Sequence, residues 1–247
     1  MSTAWQGVQL PVAIQALAQA GGLSVTLARP PLVRTCQRLL HDVYHDELGW
    51  RPESDNPSRL RIEGGEAPAF VDDYDADALW IAVCDGEAVV ATTRVLMLGS
   101  KPLELALYHP LPPALVEGAM EVNRLAIAPA HRRGHVLAVL ACTLAWIARR
   151  AAMKRAIIAV QEPISRRLFR PLQWQYTGIT FRYHPGDHHA CEVLSMQASG
   201  LNLLLGLAKT MATRVRNLAA RRVAAILGAG YLMSSVGQGK IERSHHE

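Results

Sequence analysis

Charged side chains suited to proton transfer and ion pairing recur at short spacings in the middle of the chain. They are Asp72-x2-Asp75, Arg94 and Glu121-x2-Arg124. A carboxylate can accept a proton from a reacting group, and an arginine binds carboxylates or phosphates through paired hydrogen bonds. Structural roles stay open at this point. The aspartates can cap a turn or a helix start, and the arginines can pair with these carboxylates in an ion network.

Aromatic and histidine residues precede these charges. Tyr44-x5-Trp50 supplies either core aromatics or the walls of a substrate cleft. His41 and His45 lie four residues apart on a predicted helix, a spacing that can bind a metal ion. No third ligand stands out in the sequence, so we predict no metal site.

Charge is distributed unevenly along the chain, although the net charge is only +5. Residues 31–121 hold seven bases and sixteen acids, whereas residues 122–182 hold eleven bases and one acid. Such a basic segment indicates an anionic partner or a solvated helix face. The sequence contains no recognised reader motif or aromatic stacking platform for nucleic acid, so we predict no nucleic-acid binding.

Length and composition indicate one globular domain with appendages. The 247 residues are 50% hydrophobic and 19% charged. The four cysteines, at positions 36, 84, 142 and 191, form no Cys-x-x-Cys pair and predict neither a disulfide framework nor a zinc finger. No uncharged apolar run reaches the length of a membrane span, and the N-terminus lacks the basic start of a secretory signal. We therefore expect a cytoplasmic protein.

The order of predicted elements indicates an α/β (α+β) fold. The Asp85-Gly86 pair between two apolar runs is a strong hairpin signal. Strands are predicted over residues 23–27, 78–84, 88–98, 120–127, 155–160, 176–183 and 191–196. Helices are predicted over residues 9–19, from Pro30 to about residue 48, 136–150 and 163–173. This order predicts a mixed, mostly antiparallel, twisted sheet flanked by helices.

Four segments follow from these elements. Residues 1–22 form an N-terminal helical extension, residues 23–198 the main domain, residues 199–233 a basic amphipathic helix and residues 234–247 a disordered tail. Residues 201–233 contain no acid. A basic amphipathic helix of this kind can lie on an anionic membrane, bind an acidic protein or pack on its own domain. Peripheral attachment to the inner membrane is thus one open alternative.

The strand, turn and helix of residues 120–150 resemble the acyl-CoA-binding core of the GNAT acyltransferase superfamily. In that superfamily the turn reads Arg/Gln-x-x-Gly-x-Gly/Ala, and its backbone N–H groups bind the pyrophosphate of the pantetheine carrier. Here Gly134 keeps the first glycine, whereas His131 and Val136 replace the first and last residues of the pattern. The resemblance implies that the donor contacts lie on the strand and turn, at Leu125, Ile127, Arg132, Arg133, Gly134 and His135. The altered turn favours a donor other than plain acetyl-CoA.

The motifs of the chain also resemble, in order, those of acyl-homoserine-lactone synthases and of the related long-chain N-acyl amino acid synthases. The lactone synthases carry Arg-x3-Phe-x5-Trp, Asp-x2-Asp, Arg and Glu-x-Ser/Thr-Arg, and the resemblance spans roughly residues 23–198. In this chain Leu40, Tyr44 and Asn123 replace the first arginine, the phenylalanine and the Ser/Thr. The N-terminal departures fall in the part that helps to hold S-adenosylmethionine in lactone synthases. They favour the N-acyl amino acid synthase branch.

This resemblance implies an N-acyltransferase that moves a fatty acyl group from a phosphopantetheine thioester to an amine, without a permanently bound cofactor. Glu121 is the candidate base and Arg124 its catalytic neighbour. Tyr44, Trp50, Asp72, Asp75 and Arg94 form the acceptor site, with the aspartates facing the ammonium and the arginine the carboxylate. Backbone N–H groups of residues 125–128 stabilise the developing oxyanion.

The basic segment suggests that acyl carrier protein, which is small and acidic, delivers the acyl chain in preference to CoA. Three rival functions stay open. The first is an acyl-homoserine-lactone (autoinducer) synthase that uses S-adenosylmethionine and serves quorum sensing. The second is an ordinary acetyl-CoA-dependent N-acetyltransferase. The third is a non-catalytic GNAT-like module that binds membranes through residues 201–233.

Overall fold

The computed structural model describes most of the chain up to residue 200. The described residues are 5, 7–99, 101–132, 136–172, 174–183 and 189–200. Three predicted donor contacts, Arg133, Gly134 and His135, lie outside them, as do the tail and the predicted basic helix beyond residue 200. None of the helices within these ranges combines the length and apolarity that a bilayer span requires.

A seven-stranded sheet forms the centre of the fold, in the order β1-β4-β5-β6-β7-β9-β8. Its strands are β1 (Ser24–Ala28), β4 (Leu79–Asp85), β5 (Ala88–Met97), β6 (Ala119–Ile127), β7 (Arg155–Gln161), β8 (Gln175–Phe181) and β9 (Cys191–Gln197). Only β6 and β7 run parallel, and every other neighbouring pair is antiparallel. The predicted mixed, mostly antiparallel sheet is therefore confirmed.

Helices cover both faces of the sheet. The longer ones are α1 (Val12–Gln19), α2 (Pro30–His41) and α5 (Val136–Arg150); short turns form α3 (Leu105–Tyr108), α4 (Pro113–Val116) and α6 (Glu162–Ile164). Prolines begin α2, where the missing N–H costs no hydrogen bond. A π-helix over Asp42–Glu47 continues α2 directly.

The period-2 alternation of β6 separates two hydrophobic cores. Met120 and Val122 pack into the core that also holds α1 and α5. Ala119 and Ala126 pack into the other core, with α2. Glu121 is likewise buried, between these neighbours in sequence, so a carboxyl group from β6 enters the α2 side of the sheet.

The parallel strands β6 and β7 are paired only at their start. The register joins Ala119, Met120 and Glu121 to residues 155–157, and beyond Glu121 the two strands share no pairing among the described residues. Beside this point β6 contains a bulge, because Arg94 pairs with Asn123 while Thr92 pairs with Ala126. We use the word slot for the edge that β6 presents toward β7 beyond Glu121, where the two strands are no longer paired and β6 is bulged.

Two parts of the fold differ from the sequence-based expectation. The long loop after Trp50 contains an additional hairpin, β2 (Arg61–Glu63) with β3 (Ala69–Val71), whose strands are too short to show a clear alternation. The single helix predicted over residues 163–173 is wrong. It is replaced by α6, a π-turn over Ser165–Phe169 and a 3-10 turn over Arg170–Leu172. Position 171 is a proline, which cannot donate to a helical ladder.

A matched pair of leucine substitutions tests the packing of this sheet. Leu194 in β9 is fully buried, whereas Leu98 is 52% exposed. We expect Leu194→Ala to lower the free energy of unfolding by about 2–5 kcal/mol, because it leaves a cavity. Leu98→Ala should change it by less than about 0.5 kcal/mol. Urea denaturation of both variants checks this, and equal losses would contradict the burial assignment.

Candidate active site

A buried arginine organises the charged residues that the sequence motifs single out. Arg94 of β5 has no exposed surface, and its guanidinium donates to Asp72 Oδ1 at 2.6 Å and to Asp75 Oδ1 at 2.7 Å. It also donates to Glu104 Oε2 at 2.6 Å, and its Nε donates to Asn123 Oδ1 at 2.9 Å. Its guanidinium lies 5.6 Å from the centroid of the Trp80 ring. Arg94 thus fixes three carboxylates at one place.

A second guanidinium completes the pairing of two of these carboxylates. Arg124 Nη2 donates to Asp72 Oδ2 at 2.9 Å and to Glu104 Oε1 at 2.6 Å. Arg124 lies in the β6 bulge with a φ of 53°, a left-handed conformation that is uncommon for a residue with a side chain. The bulge turns Arg124 toward the same side of the sheet as Asn123. It therefore explains how two adjacent residues both reach the carboxylates.

Glu121 lies at the inner end of the slot, in the last pair that joins β6 to β7. Its Oε2 accepts from the backbone N–H of Leu105 at 3.1 Å, and its Oε1 accepts from Asn123 Nδ2 at 3.0 Å. Burial, together with the nearby charge of Glu104, raises the pKa of Glu121 to about 7. A carboxyl group with this pKa can both bind and release a proton near neutral pH.

The charged groups of the site contain more acid than base. We define the charged cluster as Asp72, Asp75, Glu104, Glu121, Arg94, Arg124 and the bridging Asn123. Four carboxyl groups face two guanidiniums, which gives a charge of −2 when all are ionised. Burial opposes ionisation of Asp72, but the guanidiniums outweigh it and lower its pKa to about 2. Burial raises the pKa of Asp75. The excess negative charge attracts a cation.

Tight turns position the two aspartates. Asp72 Oδ1 accepts from the backbone N–H of Tyr74, and Asp75 Oδ2 accepts from the backbone N–H of Asp72 at 2.9 Å each. Gln37 of α2 donates to Asp75 Oδ2 at 2.8 Å. The turn-capping and ion-network interpretations of the sequence therefore both apply to these residues. These hydrogen bonds hold the two carboxylates in place.

Aromatic side chains form one side of the cluster. Trp50 packs edge-on against Phe70 at 5.6 Å and against Tyr44 at 6.2 Å between ring centroids. The Tyr44 hydroxyl donates to the carbonyl oxygen of Leu125, in the β6 bulge, at 2.8 Å. Burial raises the pKa of Tyr44, which keeps this donor protonated. The predicted pair Tyr44 and Trp50 is thus linked to the strand that carries Glu121.

The far end of β6 carries those of the predicted donor-contact residues that the structure describes. The Ala128 N–H donates to Val90 in β5, so the alternation of a strand directs the N–H of Ile127 to the opposite side, toward the slot. Arg132 Nε donates to the Ile127 carbonyl at 3.0 Å, and its guanidinium pairs with Glu47 of the π-helix. Arg132 thus ties the end of β6 to the π-helix.

Several bases of the basic segment are neutralised by acids. The pairs are Arg132 with Glu47, Lys154 with Glu117, Arg166 with Glu162 and Arg170 with Glu192. Arg150 lies over the rings of Trp5 and Trp146. The net positive field of this segment is therefore weaker than the count of residues suggests.

Two members of the cluster were not identified as site residues from the sequence. Glu104 binds both arginines, and Asn123 Nδ2 bridges Glu104 at 2.7 Å to Glu121. The only sequence signal for Glu104 is an acid between Leu103 and Leu105, both of which are 1% exposed in the structure. The predicted residues Tyr44, Trp50, Asp72, Asp75, Arg94, Glu121 and Arg124 all lie in or beside the cluster.

Removal of the central guanidinium should destabilise the protein more than removal of a surface guanidinium. Arg94→Met leaves three carboxylates, two of them buried, with one partner fewer, and we expect a loss of about 3–5 kcal/mol in the free energy of unfolding. Arg132→Met breaks an exposed ion pair and should leave the denaturation midpoint unchanged within error. Chemical denaturation at pH 7 compares the two, and an unaffected Arg94→Met variant would contradict the role of Arg94.

The raised pKa of Glu121 predicts a pH dependence of stability. Its folded pKa of about 7 exceeds the ordinary value of 4.5, so the proton stabilises the fold fully below pH 4.5 and less as the pH rises through 7. Glu121→Gln cannot titrate. The stability of this variant relative to wild type should therefore rise by on the order of 3 kcal/mol between pH 4.5 and 8. Urea denaturation across this range measures it; a constant difference would contradict the prediction.

Comparison with known proteins identifies the fold. No protein-family profile matches the sequence, and no curated protein matches it. Solved structures do match. FeeM, an N-acyl amino acid synthase from uncultured soil microbes, is 13% identical, with a TM-score of 0.55 over 76% of this chain and 99% of that chain.

Two further structures share this fold. BjaI, a CoA-dependent acyl-homoserine lactone synthase solved with SAM and isopentyl-CoA, is 15% identical, with a TM-score of 0.54 over 72% of this chain and 82% of that chain. A putative N-acetyltransferase from Lactobacillus plantarum is 13% identical, with a TM-score of 0.51 over 71% and 98% of the respective chains. The chain therefore has the GNAT-like fold that its motifs predict.

Proposed function

We propose that the protein is an N-acyltransferase that moves a fatty acyl group from a phosphopantetheine thioester to the amine of an amino acid. One observation carries the proposal. The slot between β6 and β7 ends at Glu121, a buried carboxyl group of near-neutral pKa in a cluster with excess negative charge. The site thus combines a place for an extended arm, a base and an attraction for a cationic amine.

The thioester arm of the donor would lie in the slot as a substitute for the missing strand pairing. Unpaired backbone groups of β6, such as the N–H of Ile127, offer hydrogen bonds to an amide-rich pantetheine. The same row of N–H groups can stabilise the oxyanion that forms when the thioester carbonyl is attacked. Leu125, Ile127 and Arg132 are the described residues that we assign to the donor, and Arg133, Gly134 and His135 follow in sequence.

The acceptor amine would bind on the α2 side of the slot. Excess carboxylate favours an ammonium group, and the turn of Asp72 and Asp75 holds two of the carboxylates in place. Arg94 uses its donors within the cluster, at 2.6–2.9 Å from four partners. We therefore assign Arg94 mainly to positioning these groups. Contact with the acceptor carboxylate, the role that the sequence suggests, would require one of the four partners to move.

Glu121 would act as the base. The ammonium must lose a proton before its nitrogen can attack, and Glu121 takes this proton directly or through a water molecule. The nitrogen then bonds to the thioester carbon and loses a second proton, the carbon–sulfur bond breaks, and the sulfur leaves as a thiolate that takes up this proton to become the thiol. No covalent intermediate with the enzyme is needed. All four cysteines are buried, and burial raises the pKa of Cys36 and Cys142 to about 11, which disfavours a thiolate nucleophile.

The donor is expected to be acyl carrier protein or acyl-CoA. Exposed bases such as Arg149 and Arg167 lie on elements beside β7 and favour an acidic carrier protein. Part of the basic segment is neutralised within the chain, which weakens this preference. We retain the cytoplasm as the location. An anionic membrane surface stays the proposed partner of residues 201–233, which lie outside the described residues.

Acyl-homoserine-lactone synthesis is a second candidate, with S-adenosylmethionine as the amine donor. The aromatic group of Tyr44, Trp50 and Phe70 beside the carboxylates is the observation that favours it, since a sulfonium is a cation that binds aromatic faces. The two candidates share the acyl transfer and differ in the acceptor. The product distinguishes them, as a lactone or as an open-chain N-acyl amino acid.

Lipid mass spectrometry of a bacterial host that expresses the chain tests the proposal. We expect a new N-acyl amino acid in the wild-type extract. Glu121→Gln should lower its amount at least about 100-fold, because a general base contributes 10²–10⁴-fold to such a reaction. Purified protein with acyl-carrier-protein or acyl-CoA donors should give the same ratio, and the acidic limb of the pH–kcat/KM profile, which reports the free enzyme, should fall near pH 7.

Glu117→Gln is the matched control. Glu117 precedes β6, is largely exposed and pairs with Lys154, so its substitution should leave the product unchanged. Equal product from wild type and Glu121→Gln would exclude Glu121 as the base. A lactone in place of the open amino acid would select the second candidate, and the absence of any acylated amine would overturn both.

A further inference from the structure

A buried histidine at the end of α2 has an unsatisfied nitrogen. The side chain of His41 is 5% exposed, and its Nδ1 has no hydrogen-bond partner among the described residues. The nearest carboxylate oxygens belong to Asp46, at 3.6 Å, and Asp42, at 3.9 Å, and both distances are too long for a hydrogen bond. Buried polar atoms usually have a partner, so a ligand bound there would satisfy this nitrogen.

The π-helix places two further ligand groups beside this nitrogen. Its wider turn brings residues four and five positions after His41 onto the same side. His45 Nδ1 lies 2.7 Å from Asp46 Oδ1, and the rings of His41 and His45 stack at 4.6 Å with an angle of 18°. Ligand atoms of His41, His45 and Asp46 all lie within 4.8 Å of one another. Asp46 is therefore the candidate third ligand, which the sequence did not reveal.

We propose that His41, His45 and Asp46 bind a divalent transition-metal ion of the Zn²⁺ class. Two imidazoles and one carboxylate form a donor set that suits zinc, cobalt or iron, and it disfavours magnesium and calcium, which prefer oxygen ligands. Tetrahedral zinc with bonds of about 2.0–2.2 Å holds its ligand atoms roughly 3.3 Å apart. His45 Nδ1 lies 2.7 Å from Asp46 Oδ1 and His41 Nδ1 lies 3.6 Å from Asp46 Oδ2. One ligand atom from each residue gives separations of up to 4.8 Å, so small side-chain rotations would bring the three atoms to the zinc spacing. Water completes the coordination on the exposed side of Asp46.

The site is separate from the acyl-transfer cluster but adjacent to it. His41 packs on Phe70 at 5.5 Å between ring centroids, and Tyr44, which binds the β6 bulge, lies between the ligands in sequence. A bound ion would join the last turn of α2 to the π-helix. We therefore infer a stabilising role, in which the ion fixes the segment that carries Tyr44.

Zinc binding by the full-length protein tests this inference. His245 and His246 are replaced by asparagine in every protein, no histidine tag is used, and metal is first removed with a chelator. Isothermal titration with Zn²⁺ should show one site, and Asp46→Asn and His45→Asn should each weaken it at least 10-fold. Zinc should raise the thermal midpoint of the parent and not that of the variants. Co²⁺ should give the visible absorption of a nitrogen- and oxygen-bound ion.

The pair His131 and Asp85 supplies matched controls. Its side chains are 26% and 58% exposed, the same fractions as for His45 and Asp46, but only one histidine is present. Asp85→Asn and His131→Asn should therefore leave zinc affinity unchanged. Absence of binding to the parent, or binding to Asp46→Asn that equals the parent, overturns the proposal. Asp46 is largely exposed, so its variant is expected to fold, and circular dichroism verifies this. None of these readouts depends on acyl transfer.

Discussion

The arrangement of the proposed active site depends on two guanidiniums, one buried and one partly buried, that hold an excess of carboxylates. Arg94 by itself contacts Asp72, Asp75 and Glu104. Arg124, in the bulge of β6, contacts Asp72 and Glu104 as well. Isolated carboxylates at this depth would take up protons or stay outside. The arginines therefore decide which acids remain ionised. Asp72, with two guanidiniums, has a lowered pKa, whereas Glu121, which contacts neither of them directly, has a raised one.

The bulge in β6 relates this cluster to the slot. One extra residue turns Arg124 into the cluster while Tyr44 binds the neighbouring Leu125 carbonyl. The parallel pairing with β7 ends at Glu121, just before this bulge. A strand with an interrupted ladder leaves backbone groups unpaired, which in a compact protein is tolerated where a ligand supplies the missing partners. The same local irregularity thus shapes both the slot and the charged cluster, the proposed donor and acceptor sites.

The sequence was sufficient to predict the regular elements of this fold. Its motifs also identified most of the residues that the structure brings together in the charged cluster. The Asp85-Gly86 turn predicted the hairpin of β4 and β5, and the apolar segment 136–150 predicted helix α5. Glu104 was not predicted because a lone acid in an irregular segment has no periodicity. Its contact with Arg94 forms only when the segment after β5 packs back against that strand. Asp46 escaped because an α-helix would direct it away from His41, and only the π-helix brings them together. Local patterns cannot show contacts that a bulge or a wider turn creates.

The excess negative charge suggests how Glu121 can be protonated in the free protein and ionised once an acceptor has bound. Without a bound cation, burial and the carboxylate of Glu104 keep a proton on Glu121 near neutral pH. An ammonium that enters the cluster places a positive charge near the same carboxyl group, and an opposite charge within about 4–6 Å lowers the pKa of an acid. In the proposed reaction, binding of the acceptor would therefore ionise Glu121 at the time when a base is required. A protein with equal numbers of acids and bases at this place would lack that coupling, which gives a physical reason for the fourth carboxylate.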